Sequence, residues 1–247
     1  MSYRWIELAQ GPVSRLTVGG HTDLNLLSLD SLCELDDALE QAAGDAGMRV
    51  LIVSGAGDRA FSAGADLSAL PRLAETEQAR FVDVGTAVWR RLAAFPVPTL
   101  AVVQGPAFGA GLELALACDL RLAGPGARLG QPALRLGLIP PFAAAARWRS
   151  LLGRGRANQM LLLGRELDAQ TAEAWGLVDG VSDTLDETAE AWADRMAQCP
   201  PGLVPRWRQW WDLPDAEAEG ACLSAQIRQA DSAGGLLSRA KKRANDA

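Results

Sequence analysis

Residues 60–67, Ala-Phe-Ser-Ala-Gly-Ala-Asp-Leu, and residues 105–114, Gly-Pro-Ala-Phe-Gly-Ala-Gly-Leu-Glu-Leu, carry the strongest signal in this chain. Each segment is a turn of small residues that follows an apolar, strand-like run, residues 50–53 for the first and 99–103 for the second. Small residues leave backbone N–H groups open to a ligand, and the first turn of a helix adds unpaired N–H groups at the positive end of its dipole. Two such turns can donate two hydrogen bonds to one oxygen, which stabilises an enolate or a tetrahedral oxyanion.

The two segments resemble the signatures of the crotonase superfamily, which comprises the enoyl-CoA hydratases and isomerases. Residues 61–66 are similar to the family's A-G-A-D segment after F-[SC], and residues 105–119 are similar to its G-x-x-x-G-x-G-x-E-L segment followed by A-x-x-C-D. Other family motifs are matched in order by Asn25-Leu26-Leu27-Ser28, Gln131-Pro132 with residues 136–140, residues 163–165, residues 172–179 and Lys242-Arg243. A-G-A-D by itself is common in loops, whereas this ordered set spans nearly the whole chain.

The resemblance implies the fold, an α/β crotonase-like spiral of ββα turns followed by a C-terminal helical region. Residue periodicity alone predicts less, namely a layered α/β domain with largely parallel strands, because strand-like and helix-like segments alternate. Strands are predicted over 5–8, 13–18, 50–53, 99–103 and 119–122, and helices over about 29–42, 72–94, 109–118 and 184–198. The first helix is predicted to begin after Ser28 or Ser31 as N-cap and to end at Gly44 or Gly47.

We divide the chain into a crotonase-like core, residues 1–183, and a helical region, residues 184–247, in which no strand is predicted. In the resembled family this helical region packs over the active site and forms the contacts of a trimer. We therefore expect this protein to be a homotrimer or hexamer. Trp207, Trp210 and Trp211 lie at helical spacing in this region. We interpret them as packing on the core or on a neighbouring subunit, as large aromatic side chains usually do.

Composition favours a globular chain with a substantial core, since 49% of its 247 residues are hydrophobic and 22% are charged. The 24 basic and 30 acidic residues give a formal charge of -6, which argues against a nucleic-acid partner. The four cysteines show no C-x-x-C spacing and there is one histidine, so neither a metal site nor a disulfide framework is predicted. No apolar run has membrane-spanning length and residues 1–5 do not resemble a signal peptide, so we expect a cytoplasmic protein without a membrane partner.

Glu113 is the candidate acid or base, and the amides of Ala65 and Ala110 are the candidate donors to a thioester carbonyl. Glu113 lies in the first turn of a predicted helix among apolar neighbours. Desolvation raises the pKa of such a carboxyl, whereas the helix N-terminus and the oxyanion donors lower it. By residue type alone it is a capping or dipole-matched residue. In the resembled hydratases, the matching glutamate holds and activates the water that adds to the double bond.

The chain departs from the family pattern at Ala133, directly after Gln131-Pro132. Family hydratases and isomerases carry a second glutamate at this position, where it delivers or shuttles a proton at the α or γ carbon of the substrate. No carboxylate lies near Ala133 in sequence, and residues 141–146 replace a glycine-rich turn that normally lines the acyl pocket. One general acid or base contributes about 10²- to 10⁴-fold to a rate, so hydratase turnover is expected to be slowed.

Coenzyme A is expected as part of the substrate, an acyl-CoA thioester, and no separate cofactor is expected. A dinucleotide-binding fold is not supported, because Gly109-Ala110-Gly111 lacks the third glycine and the acidic partner of that fingerprint. The resemblance instead implies a set of contacts to adenine, pantetheine and phosphates. These contacts are main-chain groups around Leu24, Ala63, Ala65 and Leu67, with Lys242 at the phosphates.

Two further residues near this loop are interpreted as structural. Asp66 follows Ala65, and its side chain is predicted to cap the turn and so to hold the Ala65 N–H in place within the CoA-binding loop. His21 is the only histidine of the chain. We interpret it as a surface imidazole without a partner, because no serine or cysteine nucleophile accompanies it.

Three functions are left open by the sequence. The first is an enoyl-CoA hydratase or isomerase that uses Glu113 with the Ala65 and Ala110 amides. The second is thioester hydrolysis or decarboxylation on the same oxyanion site, which accommodates Ala133 better because it needs fewer polar groups. The third is an acyl-CoA binding protein that kept the fold and lost turnover.

Overall fold

The computed structural model describes residues 3–142 and 144–211 together with residues 221, 224 and 225. The strands are β1 (Ile6–Ala9), β2 (Val13–Val18), β3 (Val50–Gly55), β4 (Thr99–Val103), β5 (Ala107–Phe108), β6 (Leu120–Ala123), β7 (Arg128–Gly130), β8 (Leu167–Asp168) and β9 (Gly180–Val181). The helices are α1 (Leu29–Ala43), α2 (Glu75–Ala93), α3 (Ala110–Ala117), α4 (Ala144–Leu162), α5 (Ala169–Trp175), α6 (Leu185–Ala197) and α7 (Leu203–Trp210). Each of the strands and helices predicted from periodicity is present within a few residues of its expected bounds.

A six-stranded sheet in the order β1-β2-β3-β4-β6-β9 forms the centre of the protein. β1 and β2 pair antiparallel, as the predicted hairpin, and the four remaining pairings are parallel. Strands of a parallel sheet are covered on both faces and therefore read as continuous apolar runs. The run at residues 50–53 is buried at every position, which confirms the prediction of a largely parallel α/β sheet.

A second, three-stranded sheet in the order β5-β7-β8 was not predicted. Its strands are only two or three residues long, too short for a periodicity signal. The pairing of Phe108 with Gly130 brings the residues that follow them, the start of α3 and Gln131, side by side. This small sheet therefore positions two parts of the candidate site.

The hydrophobic core lies on both sides of the large sheet. On one side α1, α2 and α3 bury the largest aromatic side chains, among them Trp89 and Trp148, which are 0% and 2% exposed. On the other side α6 packs through Ala189 and Ala193 against side chains of β3, β4 and β6. Burying one such large apolar side chain stabilises the fold by about 1.5–3 kcal/mol.

Helix α1 shows how a local signal sets an element boundary. Ser28 is the N-cap, and its Oγ accepts a hydrogen bond from the N–H of Ser31 at 3.2 Å. The Ser31 side chain accepts from the N–H of Ser28 in return, which forms a reciprocal capping box. The helix ends at Gly44, so the first of the two alternatives offered for each end is correct.

The chain divides into two compact units, one that ends at Gly202 and one that begins at Leu203. Helix α6 belongs to the first unit, where it covers the large sheet. In the second unit the indoles of Trp207, Trp210 and Trp211 contact one another, with Trp210 and Trp211 centroids 5.0 Å apart, and all three are exposed. The assignment of residues 184–247 to an oligomerisation region stays a prediction, as does the packing of these indoles on the core or a partner.

None of the described helices combines the length and the apolar character that a membrane-crossing helix needs.

Candidate active site

The two glycine-containing segments of the sequence lie against each other. Ser62 and Ala107 form a parallel β-bridge, and the N–H of Phe108 donates to the carbonyl of Ser62 at 2.9 Å. On its other side the first segment is tied to the chain before α1, where the N–H of Asp66 donates to the carbonyl of Leu27 at 2.9 Å. The backbone around Ala65 is therefore fixed from both sides.

Glycine is required where these segments touch. Gly64 has φ of 97°, a conformation that side-chain-bearing residues rarely adopt. A Cβ on Gly64 would lie 2.7 Å from the carbonyl oxygen of Phe108 and 3.2 Å from the amide nitrogen of Ala110. A Cβ on Gly111 would lie 2.2 Å from the carbonyl oxygen of Ser62. The start of α3 can thus approach the residue next to Ala65 only because these positions carry no side chain.

Both candidate donor amides are unpaired. Helix α3 begins at Ala110 after Gly109 as N-cap, and its first intrahelical bond runs from the Glu113 N–H to the Gly109 carbonyl at 3.0 Å. The N–H of Ala110 belongs to the first turn, which has no acceptor inside the helix. In the described part of the chain, neither this N–H nor that of Ala65 donates a hydrogen bond. Each is therefore available to a ligand.

The carboxyl of Glu113 is completely buried and is anchored through one oxygen. Its Oε1 accepts from the indole Nε1 of Trp148 at 2.6 Å and from Nε2 of Gln131 at 2.9 Å. Its Oε2 is buried and has no hydrogen-bond partner among the described residues. The nearest charge is Arg147, whose Nη2 lies 3.9 Å from Oε2. One oxygen of the carboxyl is thus held in place, and the other is free for chemistry.

Burial sets the protonation behaviour of this carboxyl. The pKa of Glu113 is raised above its ordinary value, because burial disfavours the charged form more than its partners favour it. The hydrogen bonds from Trp148 and Gln131 and the positive charge of Arg147 act in the opposite direction and lower the pKa. A raised carboxyl pKa is what acid–base work near neutral pH requires. The sign of the net shift, which sequence could not give, is therefore upward.

Sequence reasoning missed the roles of Gln131, Arg147 and Trp148. The Gln131-Pro132 pair was recognised only as a motif, and no local signal marks Arg147 or Trp148 as neighbours of Glu113. The two lie near the start of α4, which packs against α3 through the core. Knowledge of that packing was needed to find them.

The position of Ala133 is consistent with the reading that a second carboxylate is missing. Ala133 opens a short 3₁₀ helix, Ala133–Leu136, and its N–H donates to Oε1 of Gln131 at 3.3 Å. Arg147 is the one charged side chain that shifts the pKa of Glu113 among the described residues. No carboxylate among the described residues contributes to the pKa shift of Glu113.

Asp66 caps its turn, but the interpretation of His21 needs correction. Oδ1 of Asp66 accepts from the N–H and Oγ of Ser68, at 3.1 and 2.6 Å, and from the N–H of Ala69 at 3.3 Å. His21 is at the surface, as expected, but the expectation that it has no partner was wrong. Its Nε2 lies 3.0 Å from Oδ2 of Asp66. The two loops meet because the N–H of Ala63 pairs with a carbonyl of the loop that carries His21.

The candidate CoA-binding groups are placed as follows. The carbonyl of Leu24 accepts from the N–H of Ala63, and the carbonyl of Ala65 accepts from the N–H of Leu67, each at 2.9 Å. The side chain of Leu67 is 43% exposed. Lys242 lies outside the described residues. A surface cavity of about 600 Å³ lies elsewhere, against β1 and β2, and none of the residues around Glu113 lines it.

Over the described ranges, no group of three or more His, Cys, Asp or Glu side chains is arranged to hold a metal ion. No disulfide joins Cys33, Cys118 and Cys199 to one another.

The site thus combines two unpaired backbone amides on loops that contact each other with a buried glutamate, and preorganised donors of this kind suit the stabilisation of a developing oxyanion. A sequence model of the enoyl-CoA hydratase/isomerase family matches residues 9–227. The short-chain-enoyl-CoA hydratase of Clostridium acetobutylicum is 34% identical over 81% of this chain and 77% of its own length. The 2,3-dehydroadipyl-CoA hydratase of Escherichia coli is 38% identical over 78% of this chain and 75% of its own length.

Solved structures agree with the sequence comparison. The crystal structure of an enoyl-CoA hydratase from Bacillus anthracis has a TM-score of 0.87 and 31% identity, and the match covers 97% of each chain. This chain belongs to the enoyl-CoA hydratase/isomerase family. The predicted crotonase-like fold is thereby confirmed.

Proposed function

We propose that this protein is an enoyl-CoA hydratase, which adds water across the double bond conjugated to an acyl-CoA thioester. The observation that carries the proposal is the fully buried Glu113, whose Oε2 has no hydrogen-bond partner among the described residues and which follows the unpaired amide of Ala110 by one turn of α3. The hydratase names of the relatives from Clostridium acetobutylicum and Escherichia coli support the same reaction.

In this mechanism the thioester carbonyl oxygen accepts hydrogen bonds from the N–H groups of Ala65 and Ala110. Oε2 of Glu113 takes a proton from water while the hydroxide adds to C3, and the electron pair of the double bond moves onto the carbonyl as an enolate. The two amides stabilise the charge of that enolate, an interaction worth about 10²–10³ in rate for one donor. The protonated Glu113 then returns the proton to C2, so the carboxylate is regenerated and one water has been added.

One carboxylate performs both proton transfers in this scheme, since residue 133 is alanine. We therefore expect turnover to be slower than in family members with two glutamates, by up to about 10²- to 10⁴-fold. The raised pKa of Glu113 supports the double role, because a higher pKa favours the acid form that returns the proton to C2.

The CoA moiety is proposed to bind along the loop of residues 63–67. The N–H groups of Ala63, Asp66 and Leu67 already donate within the protein. Carbonyl oxygens of this loop and of Leu24 can accept a second hydrogen bond, and we assign them to the adenine and pantetheine. Lys242 is proposed to bind the phosphates. We also propose that the protein is cytoplasmic and forms a homotrimer or hexamer. Light scattering of the purified protein at several concentrations tests the oligomeric state.

The second candidate is hydrolysis or decarboxylation of an acyl-CoA thioester, which Ala133 favours. These reactions use the same amides and need one polar group or none beside them. A protein that binds acyl-CoA without turnover is the third candidate, supported by the same residue.

A substrate assay separates the candidates. Loss of the enoyl-thioester absorbance of crotonyl-CoA without release of free CoA is expected for hydration, whereas the same loss with an equal release of free CoA indicates hydrolysis. Release of carbon dioxide from an acyl-CoA that carries a β-carboxylate indicates decarboxylation. Glu113→Gln is expected to lower hydration by about 10²- to 10⁴-fold while acyl-CoA binding persists. Glu187→Gln is the matched control, since Glu187 is an exposed glutamate in the first turn of α6.

Two results contradict the hydratase proposal. One is loss of the enoyl absorbance matched by an equal release of free CoA, and the other is acyl-CoA binding by a parent protein that turns over no thioester in a broad panel. If the Glu113→Gln and Glu187→Gln variants are equally active, Glu113 is not the acid or base of the reaction.

A further inference from the structure

Two neighbouring side chains in the site each carry a buried polar atom without a partner in the described part of the chain, one a hydrogen-bond acceptor and the other a donor. Oε2 of Glu113 is an acceptor and Nε of Arg147 is a donor, and neither has a hydrogen-bond partner among the described residues. The two side chains approach to 3.9 Å, measured from Nη2 to Oε2. Buried polar groups in native proteins are paired, by water or a ligand where the protein supplies no partner. A hydroxyl suits both atoms, because it accepts from Nε–H and donates to Oε2.

The guanidinium of Arg147 is held in place by a hydrogen bond to a residue whose own ring is packed in the core. Its Nη2 donates to the carbonyl of Phe142, which has φ of 65°, an uncommon value for a residue other than glycine. The Phe142 ring is buried and stacks on Trp89 with centroids 4.4 Å apart. It fits there because Gly85 carries no side chain, since a Cβ on Gly85 would lie 2.3 Å from the ring. Arg147 therefore has a fixed position beside Glu113.

The charges of Glu113 and Arg147 favour a neutral ligand over an anionic one. Among the described residues, Arg147 is the one charged group that shifts the pKa of Glu113, and Glu113 is the one that shifts the pKa of Arg147. The other neighbours of the carboxyl, Gln131 and Trp148, are uncharged. An arginine stays protonated in proteins, so ionised Glu113 and Arg147 form a neutral pair. A second anion beside this carboxylate would be costly to bury, whereas a water or substrate hydroxyl is not.

We propose that Arg147 is a further catalytic residue, which binds the reacting hydroxyl through Nε–H together with Oε2 of Glu113. The inference rests on the proposed hydration. In that step the water oxygen accepts from Arg147 Nε–H and the water proton passes to Oε2. Hydroxide then adds to C3, and the proton ends on C2. Arg147 thus supplies the second polar contact to the water at a site where residue 133 is alanine.

The first test compares the hydration kinetics of Arg147→Gln and the parent protein. The variant is expected to lower kcat about tenfold or more, since one hydrogen bond to the reacting group is lost, while KM for crotonyl-CoA stays within about twofold. The acid limb of the pH profile is expected to move to higher pH, because the positive charge that lowers the pKa of Glu113 is gone. Arg149→Gln, an exposed arginine two residues further along α4, is the matched control.

The second test measures binding and does not depend on turnover. The product 3-hydroxybutyryl-CoA carries the hydroxyl that butyryl-CoA lacks. Arg147→Gln is expected to weaken binding of the hydroxylated thioester about tenfold and to leave butyryl-CoA binding unchanged. Arg147→Lys keeps the charge but has no Nε–H in that position, so it is expected to show the same selective loss without the shift of the acid limb. If Arg147→Gln does not fold, the binding constants of Arg147→Lys provide the test.

The outcomes separate this inference from the proposed function. A parent protein that hydrates crotonyl-CoA, with Arg147 variants that match Arg149→Gln in kcat and in both binding constants, overturns the role of Arg147 alone. Equal weakening of both thioesters also overturns it, because Arg147 would then shape the pocket in general. A parent protein that hydrates no enoyl-CoA overturns the proposed hydration and the inference with it.

Discussion

Two regions contribute to the candidate site, and only the first follows from a local pattern. The first region comprises the two glycine-containing segments, residues 60–68 and 105–113, and the second comprises Gln131, Ala133, Arg147 and Trp148. In the first region one glycine-containing turn and one helix start determine where the Ala110 amide and the Glu113 side chain lie. In the second region Gln131 and Trp148 reach the Glu113 carboxyl from positions 18 and 35 residues away along the chain. The proposed oxyanion donors are thus encoded locally, whereas the surroundings of the carboxyl depend on long-range packing.

The two regions also differ in how easily substitution changes them. A backbone N–H is present at every position except proline, so the donors of Ala65 and Ala110 tolerate many side chains. The contacts of Glu113 are made by side chains, and a single replacement removes one of them. The departure from the family pattern at Ala133 falls in this second region. We infer that the first region maintains binding of the thioester and that the second decides which reaction follows.

Among the variants that separate the two regions, Ala110→Pro is expected to have the largest effect, because it removes a proposed donor of the first region. Proline has no N–H and is tolerated at the first position of a helix, which Ala110 occupies in α3. Turnover is expected to fall about 10²- to 10³-fold, as for loss of one oxyanion donor. Stopped-flow or steady-state loss of the enoyl absorbance measures the effect.

A proline at the start of another helix serves as the control for Ala110→Pro. Glu75 is the exposed first residue of α2, and Ala74 before it is extended, as a residue preceding proline prefers. Glu75→Pro is expected to retain activity. If both variants keep their fold and the same turnover, the Ala110 amide does not bind the oxyanion.

A smaller effect is expected in the second region from Trp148→Phe. The variant loses the indole N–H that donates to Oε1 of Glu113 at 2.6 Å. This hydrogen bond lowers the pKa of Glu113, so its loss raises that pKa further, and the acid limb of the kcat/KM profile is expected to move to higher pH. Turnover near neutral pH is expected to fall roughly tenfold, because the carboxyl is less well held and less ionised.

Trp89→Phe is a closely matched control for Trp148→Phe. Trp89 is also completely buried, but its Nε1 has no hydrogen-bond partner among the described residues. Both variants remove an indole and leave a phenyl ring, so their cost in thermal stability is expected to be similar. An equal shift of the acid limb in both would show that packing, and not the hydrogen bond to Glu113, controls the profile.

The comparison also explains how much the sequence could predict. The parallel sheet, the N-cap at Ser28 and the contact between the two glycine-containing segments follow from periodicity, small residues and motif order. The short strands of the second sheet, the pairing of His21 with Asp66 and the indole on Glu113 do not. They depend on tertiary contacts between segments far apart in sequence, and such contacts leave no periodic trace in either partner.

The smallest effect is expected at the edge of the first region, from Ser68→Ala. Hydrogen bonds from Ser68 are the main reason why the pKa of Asp66 lies below its usual range, with smaller contributions from Ala69 and His21. A depressed carboxyl pKa stabilises the fold above the ordinary aspartate pKa, and this stability is lost as pH falls through the folded-state pKa. Ser68→Ala is expected to cost about 1 kcal/mol at pH 7, less as the solution becomes acidic.

Denaturant unfolding of Ser68→Ala and Ser68→Thr across pH tests this expectation, since threonine keeps the hydroxyl. A difference from the parent that does not change with pH would contradict the assignment to Asp66. Turnover is expected to change little, because the Asp66 N–H remains bound to the carbonyl of Leu27 and keeps the adjacent Ala65 amide in place. A large loss of turnover in Ser68→Ala would instead show that the Asp66 side chain, and not the backbone ladder, positions the donor.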